Sequence, residues 1–378
     1  MIQSIATRVA GLACAVLTLG VASPPAAATT GADLPRFGDV QRALTELAES
    51  DLVVGAIGAV YVDGRLVGKG SAGTRLLNGG GKIPADARYR VGSQTKQMVA
   101  AVVVQLVGEG KISLDDKLSD VLPDTAGQDL VELAGQITVR QLLDHTSGIP
   151  DYFGALDKDS LFDFTTYYRP AELVKRSRSL DRQQEPGQAF SYSNTNYILL
   201  GMIIERLTGK SLADELDRRV FGPLHMNRTY LPTKPPEGIR GPHGHGYQPD
   251  SQGELRDVDR INASSLWAAG GVVSTARDIS VFQRAFAQGG LVPPELQEVL
   301  RALVIGGGGS GGGERPCAGT ELEISASTGS APGFRATTFT TSDGRVQFAM
   351  STTLTKHDNA ALSALSRTAA ESVLCPGK

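Results

Sequence analysis

A serine and a lysine stand three residues apart, at Ser93 and Lys96, where a strand pattern at 89–91 is followed by a helical pattern at 94–107. On a helix, residues at this spacing lie on one face, so their side chains can meet. A lysine amine packed among apolar residues is disfavoured in its charged form, so it can accept the proton of a nearby hydroxyl and activate it as a nucleophile. The spacing alone is common, and a helix-capping serine followed by a solvated lysine is the alternative interpretation.

A tyrosine and an asparagine later in the chain, at Tyr192 and Asn194, precede a helical pattern that begins at 196. A tyrosine hydroxyl beside a lysine can relay protons, and an asparagine amide offers both a donor and an acceptor to a substrate amide. Taken singly, this segment could equally be a core tyrosine next to an Asx turn. Together with Ser93 and Lys96, it indicates an acyl-transfer site.

Three other motifs in the sequence give weaker evidence of function. The segment 308–312 fits the pattern G-x-S-x-G, but no strand and helix adjoin it, as a nucleophile elbow requires. Gly81-Lys82 is followed by Ile83, so the hydroxyl of a phosphate-binding loop is missing. His243 and His245 lie in a glycine-rich segment typical of a turn, and no metal site is predicted there.

The elements that must position these residues run in the order helix, strands, helices, strands, helix, which predicts an α/β fold with a sheet built from both ends of the chain. We expect a sheet domain at 33–92 and 266–378 and an inserted, mainly helical domain at 93–265. The predicted strands are 53–62, 65–72, 89–91, 334–341 and 346–353, and the predicted helices are 39–49, 94–107, 139–143, 171–177, 196–207, 212–220, 274–287, one opened by Pro294, and 359–374.

The first residues are typical of an export signal. Arg8 precedes an uncharged apolar run at 9–21, and small residues follow at 26–28. This pattern predicts a signal peptide at 1–28 and a secreted, extracellular protein. An N-terminal membrane anchor is the alternative, but the run is shorter than the roughly 20 residues that span a bilayer. With the signal removed, no membrane span is predicted.

Cysteine usage agrees with export. The segment 1–28 contains Cys14, and its removal leaves Cys317 and Cys375. An even pair in an exported protein predicts a disulfide, with two separate thiols as the alternative. Two cysteines without close spacing supply too few ligands for a metal.

The charge balance excludes one class of partner. With 37 Lys and Arg residues against 40 Asp and Glu residues, the net charge is -3. There is no basic excess to neutralise phosphates, so no nucleic-acid partner is predicted.

The combined motifs resemble the active-site serine penicillin-recognising family, which includes D-alanyl-D-alanine carboxypeptidases, class C β-lactamases and related esterases. The resemblance covers nearly the whole chain after residue 28 and is strongest to secreted actinomycete-type carboxypeptidases, which carry a similar late cysteine pair. It implies a mainly antiparallel sheet flanked by the terminal helices, with the active-site cleft between sheet and helical domain. The segments that carry it are 89–93, 142–149, 192–197 and 269–278.

The resemblance also implies roles. Ser93 would be the nucleophile, Lys96 its base, Tyr192 the proton relay, and Asn194 a ligand of the substrate amide. The remaining expected residues bind substrate or the oxyanion: Trp267 lining the pocket, the third motif Ser327, Thr328 and Gly329, and the backbone N–H of Ser330 acting with that of Ser93. No metal or organic cofactor is implied.

One departure from the family pattern stands out. Ser327 occupies the place where the family usually carries Lys or His. A charge-assisted hydrogen bond contributes about 1.5–3 kcal/mol against about 1 for a neutral one, so carboxylate-bearing substrates would lose about tenfold in binding. Arg315 and Arg335 are nearby cations, but the sequence places neither.

Three hypotheses follow. The first is an exported hydrolase that cleaves D-alanyl-D-alanine peptide ends, with peptidoglycan stem peptides as partners and penicillins as acylating ligands. The second, favoured by Ser327, is an esterase or weak β-lactamase of the same fold. The third is a cell-wall-binding relative that no longer turns over.

Overall fold

A computed structural model of the chain describes residues 36–235, 237–305, 316–320 and 322–377. The predicted signal peptide at 1–28, the segment 308–312 and Arg315 lie outside the described residues. The residues from Arg36 onwards form a single compact unit, so the division at 93 and 266 stays a prediction.

The strands and helices follow the sequence patterns closely. The strands are β1 (Val53–Val62), β2 (Arg65–Gly73), β3 (Arg88–Arg90), β4 (Tyr247–Pro249), β5 (Leu255–Asp257), β6 (Val273–Thr275), β7 (Ile324–Ala331), β8 (Phe334–Thr341) and β9 (Val346–Leu354). The helices are α1 (Val40–Leu47), α2 (Thr95–Gly108), α3 (Leu118–Val121), α4 (Pro123–Gly127), α5 (Val139–Leu143), α6 (Pro170–Ser177), α7 (Asn194–Thr208), α8 (Leu212–Leu216), α9 (Trp267–Gly270), α10 (Ala276–Gln288), α11 (Pro294–Ile305) and α12 (Asn359–Leu374).

The main sheet is antiparallel and has the strand order β2-β1-β9-β8-β7, so it is built from both ends of the chain as predicted. Asp63 and Gly64 both have positive φ at the β1–β2 turn, which is the conformation that two-residue hairpins favour. The α/β fold class with terminal helices is confirmed. β7 is the edge strand of the sheet, and its Gly329 lies against the segment that carries Ser93.

Each face of the sheet covers its own core. One core contains α1 and α12 with residues such as Leu44, Phe348 and Val373. The other surrounds α2, whose residues from Met98 to Val104 are all fully buried. A helix that is apolar all round must sit inside the protein. This burial fixes the start of α2, and with it the reactive serine, rigidly against the sheet.

Two expectations differ from the structure. The predicted strand 89–91 runs from Arg88 to Arg90 and pairs with β6, forming a separate two-stranded sheet. The predicted helix 212–220 ends at Leu216 and continues as a π-helical turn, Asp217–Phe221. Within this turn, Arg218 and Arg219 both donate to the buried carboxylate of Glu215. These contacts span three and four residues, the spacings at which side chains meet on any helix face, so they do not account for the wider turn.

A disulfide joins Cys317 to Cys375, as the sequence predicted. It closes a loop with a sequence separation of 58 residues that contains the strands β7, β8 and β9. In the chain-entropy description, closing such a loop stabilises the fold by about 4 kcal/mol. Among the described residues, no helix is both long and apolar enough to cross a membrane.

Candidate active site

The turn before α2 carries Ser93. Gly92 has a φ of 54°, and a β-carbon there would lie 2.5 Å from the carbonyl oxygen of Ser330. Only glycine tolerates both the left-handed backbone and this close approach. The sequence Gly92-Ser93 therefore presents the serine at the junction of β3, α2 and β7.

Ser93, Lys96 and Tyr192 converge in the structure. The Ser93 Oγ lies 2.8 Å from the Tyr192 Oη, and either hydroxyl can donate. Lys96 Nζ lies 3.3 Å from the Ser93 Oγ, and its side chain is buried. Three-residue spacing on α2 thus brings the serine and lysine together, and tertiary packing adds the tyrosine.

Lys96 is held by two further acceptors. Its Nζ donates to the carbonyl oxygen of Ala269 at 2.6 Å and to Asn194 Oδ1 at 2.8 Å. Asn194 Nδ2 in turn donates to Asp151 Oδ2 at 2.8 Å. Asn194 therefore orients the lysine, and the expected contact of its amide with a substrate stays a prediction.

A histidine supports the tyrosine ring from behind. The imidazole of His145 stacks on Tyr192 with ring centroids 4.5 Å apart. His145 Nδ1 accepts from the backbone N–H of Ser193, so the ring proton is on Nε2. Burial, reinforced by the charge of Lys96, lowers the pKa of His145 to about 3, which keeps this ring neutral. We infer that His145 positions Tyr192.

The third motif lies on β7, directly against the serine. A β-carbon at Gly329 would collide with the carbonyl oxygen of Val91 and lie 2.7 Å from the backbone nitrogen of Ser93. One at Gly92 would lie 2.7 Å from the backbone nitrogen of Ser330. The two backbone N–H groups proposed for the oxyanion therefore belong to segments in direct contact.

Ser327 forms a neutral network at the place of the usual cation. Its hydroxyl donates to Gln97 Oε1 at 2.8 Å, and its carbonyl oxygen accepts from Gln94 Nε2 at 2.8 Å. Gln283 also donates to Gln97 Oε1, at 2.6 Å. The hydroxyl of Ser327 is thus committed to an amide, while Thr328 on the opposite face of β7 pairs in register with Thr337.

Arg335 lies on β8, next to the third motif. It pairs with Ser330 across β7 and β8, and its Nη1 donates to Ser330 Oγ at 2.9 Å. Its other contacts are the neutral oxygens of Asn359 and Ser363. Burial lowers the pKa of Arg335, and within the described part of the chain no carboxylate forms an ion pair with it. A half-buried guanidinium with neutral neighbours is suited to receive an anion.

Trp267 has a packing role in this structure. Its side chain is 4% exposed and lies against α7, where a β-carbon at Gly201 would be 2.7 Å from its ring. The expected contact between Trp267 and substrate stays a prediction.

Sequence reasoning gave no role to His145, Asp151 or Gln97. The first belongs to the motif segment 142–149, and the last lies next to Lys96, so their positions near recognised motifs were the available signal. The sequence gave no signal for Asp151, because only the fold brings this residue to Asn194.

The Beta-lactamase family model matches residues 40–371. The chain belongs to this family. Penicillin-binding protein 4 of Amycolatopsis lactamdurans is 34% identical over 243 residues, which are 64% of this chain and 61% of that relative. N-acetylmuramyl-L-alanine amidase of Bacillus subtilis is 28% identical over 50% of this chain and 45% of its own length. The chain thus spans about half to three fifths of these curated relatives.

Solved structures of the family superpose over most of the chain. A D-stereospecific amidohydrolase from Streptomyces has a TM-score of 0.71 at 26% identity, covering 90% of this chain and 98% of its own. The D-amino acid amidase from Ochrobactrum anthropi SV3 also has a TM-score of 0.71, at 24% identity, over 88% of this chain and 97% of its own. This second likeness supports the β-lactamase-type fold.

Proposed function

We propose that this protein is an exported serine hydrolase that cleaves D-alanyl-D-alanine peptide ends through an acyl-enzyme on Ser93 and is acylated by penicillins. The observation that carries the proposal is the position of the Ser93 Oγ, 2.8 Å from the Tyr192 Oη and 3.3 Å from Lys96 Nζ. A hydroxyl between a buried amine and a phenol is poised to lose its proton and attack a carbonyl.

In the acylation step that we propose, Lys96 reacts in its uncharged form and takes the proton of Ser93. Nζ has three partners in the structure, Ala269, Asn194 and Ser93 Oγ. In the uncharged form, two N–H groups would still donate to Ala269 and Asn194, and the lone pair would face the serine hydroxyl. The Ser93 oxygen bonds to the substrate carbonyl carbon, and the carbonyl oxygen becomes an oxyanion near the backbone N–H groups of Ser93 and Ser330. After the transfer, the Lys96 ammonium has three hydrogens for the oxygens of Ser93, Asn194 and Ala269, so each of its hydrogens has an acceptor.

Departure of the amine requires a proton at its nitrogen. The hydroxyl of Tyr192 donates it and recovers a proton from the Lys96 ammonium, whose nitrogen lies 4.9 Å from the tyrosine ring centroid. The reverse transfers activate water, which attacks the acyl group and releases Ser93. The amine thus leaves with the proton that Ser93 gave up, and water returns one proton to Ser93, so the cycle balances without a cofactor.

The space beside Tyr192 suits the acyl part of a substrate. A cavity of about 570 Å³ is lined by the tyrosine, by apolar residues such as Leu180, and by the carboxylates of Asp151 and Asp181. The negative charges of Asp151 and Asp181 would attract a positively charged amine, so they favour an acyl group that carries one. On the leaving-group side, Arg335 supplies the charge for a terminal carboxylate.

A second candidate is hydrolysis of neutral D-amino acid amides or esters. The neutral pair of Ser327 and Gln97 favours it, because no cation occupies the usual third-motif position. The likeness to the D-stereospecific amidohydrolase also supports it. The two candidates share the acyl-enzyme and differ in whether the leaving group bears a carboxylate.

The test is intact-mass spectrometry of the full chain produced in a bacterial host and recovered separately from cells and from medium, after incubation with benzylpenicillin. We expect an adduct equal to one penicillin in the parent protein and none in Ser93→Ala. Ser342→Ala, at an exposed position in the β8–β9 turn, is the matched control that retains it. Ester and amide hydrolysis without an adduct would favour the second candidate, and neither reaction would contradict both. The same spectra test export, since a chain beginning after Ala28 supports it and a retained leader opposes it.

Replacing Arg335 with glutamine is expected to lower kcat/KM for a D-alanyl-D-alanine peptide by about tenfold, because a charge-assisted hydrogen bond to the terminal carboxylate becomes a neutral one. The same peptide with an amidated end should change by less than about threefold. Arg345→Gln is the control, since that arginine pairs with Asp63 on the same sheet, away from β7. An equal loss with both substrates would show that Arg335 serves only structure.

A further inference from the structure

A cluster of histidines and aspartates lies at the β4–β5 hairpin, outside the site described above. The rings of His243 and His245 stack with centroids 5.1 Å apart and an interplanar angle of 5°. Ligand atoms of these two residues and of Asp259 all lie within 4.8 Å of one another. The sequence placed both histidines in a turn, and the structure adds the carboxylate that comes from beyond β5.

The hydrogen-bond partners of His243 are unusual. Its Nδ1 lies 2.5 Å from the carbonyl oxygen of Gly241, and its Nε2 lies 2.6 Å from Asp259 Oδ1. Both oxygens can only accept, whereas a neutral imidazole has one N–H. With Nδ1–H donating to Gly241, the Nε2 lone pair points at the carboxylate. A proton bridges these two atoms at 2.6 Å, and a metal ion could take its place only once the atoms part to the roughly 3.3 Å that two metal–ligand bonds need.

His245 has the environment of an oriented ligand. Its Nδ1 lies 2.7 Å from Asp257 Oδ2, so an N–H on Nδ1 donates to this carboxylate and the lone pair is on Nε2. Metal-binding histidines usually donate their other ring nitrogen to a carboxylate or a carbonyl in this way. Gly241 and Asp257 thus act as outer partners for the two rings.

The backbone holds the cluster in place before any ligand arrives. The N–H of His245 donates to the carbonyl of Arg75 at 2.9 Å, and the carbonyl of Asp259 accepts from Arg90 Nη2 at 2.7 Å. The side chain of His243 is 10% exposed, while those of His245 and Asp259 are each 21% exposed. The backbone of the site is therefore held in place, and its side chains are open to solvent on one side.

We propose that His243, His245 and Asp259 bind a divalent transition-metal ion of the zinc type. Two imidazoles and one carboxylate suit this class, whereas Mg²⁺ and Ca²⁺ prefer oxygen ligands alone. The ion takes the place of the proton between His243 Nε2 and Asp259 Oδ1, so one proton leaves as the metal binds. A water completes the coordination.

Such an ion would stabilise the wall of the cleft. Arg90, which bonds to Asp259, precedes Ser93 by three residues, and the hairpin packs at Gly246 against Gly333, just beyond β7. The ion therefore ties the β4–β5 hairpin to segments that carry the serine and the third motif. It takes no part in the acyl transfer proposed above, and each can fail without the other.

The test uses untagged protein, freed of metal by chelation and then titrated with Zn²⁺ in a calorimeter. We expect one equivalent to bind, with proton release that shows as a dependence of the heat on the buffer, and a rise in Tm. His243→Gln and Asp259→Asn should each weaken binding at least tenfold. His225→Gln is the control, because that histidine is exposed and outside the cluster.

Two outcomes would overturn the proposal. One is a parent protein that binds no Zn²⁺, which would make His243 and Asp259 an imidazolium–carboxylate pair. The other is equal Zn²⁺ binding by the parent and His243→Gln. Because a variant could simply unfold, the Tm of each metal-free variant is compared with that of the parent. His245→Gln, at a more exposed position, gives a second reading of the same site.

Discussion

Replacement of Lys96 by methionine is expected to lower the rate of Ser93 acylation by about 10²–10⁴-fold, the range for loss of a general base. Methionine keeps most of the side-chain volume in this buried position but has no lone pair to take the serine proton. The carbonyl of Ala269 and Oδ1 of Asn194 also lose their donor, so a fall in Tm is expected as well.

The rate is measured by stopped flow with a chromogenic β-lactam. Lys111→Met is the matched control, because that lysine lies just beyond α2 and pairs at the surface with Glu109. Lys96→Arg separates the two roles of the lysine, since arginine keeps a hydrogen-bond donor at this position but stays protonated and cannot act as a base. Acylation by Lys96→Arg close to the parental rate would refute the role of Lys96 as a base.

The second large effect is expected for Gly329→Ala, with a fall in kcat/KM of about 10²–10³-fold, as when one oxyanion donor is lost. The new methyl group would collide with the carbonyl of Val91 and crowd the backbone nitrogen of Ser93. Backbone atoms cannot rotate away as a side chain does, so β7 must move from the serine and carry the N–H of Ser330 with it.

The comparison is with Gly127→Ala, which adds the same methyl group where nothing lies within 4 Å. Steady-state hydrolysis of an ester reports the oxyanion site, and thermal unfolding reports the fold. Parental activity in Gly329→Ala would show that the contact between β7 and Ser93 is not needed for catalysis.

The main elements could be predicted from the sequence because their signals are local. The hairpin turn at 63–64, the apolar run of α2 and the alternation of turn residues with strands each depend on neighbours in the chain. The π-helical turn and the pairing of β3 with β6 could not be predicted, because both depend on contacts with distant residues such as Glu109, which binds Arg219.

In the site, too, local features could be predicted from the sequence and contacts between distant segments could not. Spacing on one helix was enough to pair Ser93 with Lys96, and motif resemblance added Tyr192 and Asn194. Neither could show that Asp151 orients Asn194, or that His145 is neutral and stacked beneath Tyr192, since these contacts join separate segments.

The sequence by itself determined the family, the α/β class, the pair of cysteines and the proximity of Ser93 to Lys96, because each follows from residue types at short or characteristic spacing. Only the tertiary structure decided where positive charge lies: Ser327 is neutral and bonded to Gln97, whereas Arg335 reaches Ser330 from the neighbouring strand. It also brought Asp259 to the two histidines. The physical reason is that these are interactions across strands and loops, which strand register and packing fix and the linear order of residues does not.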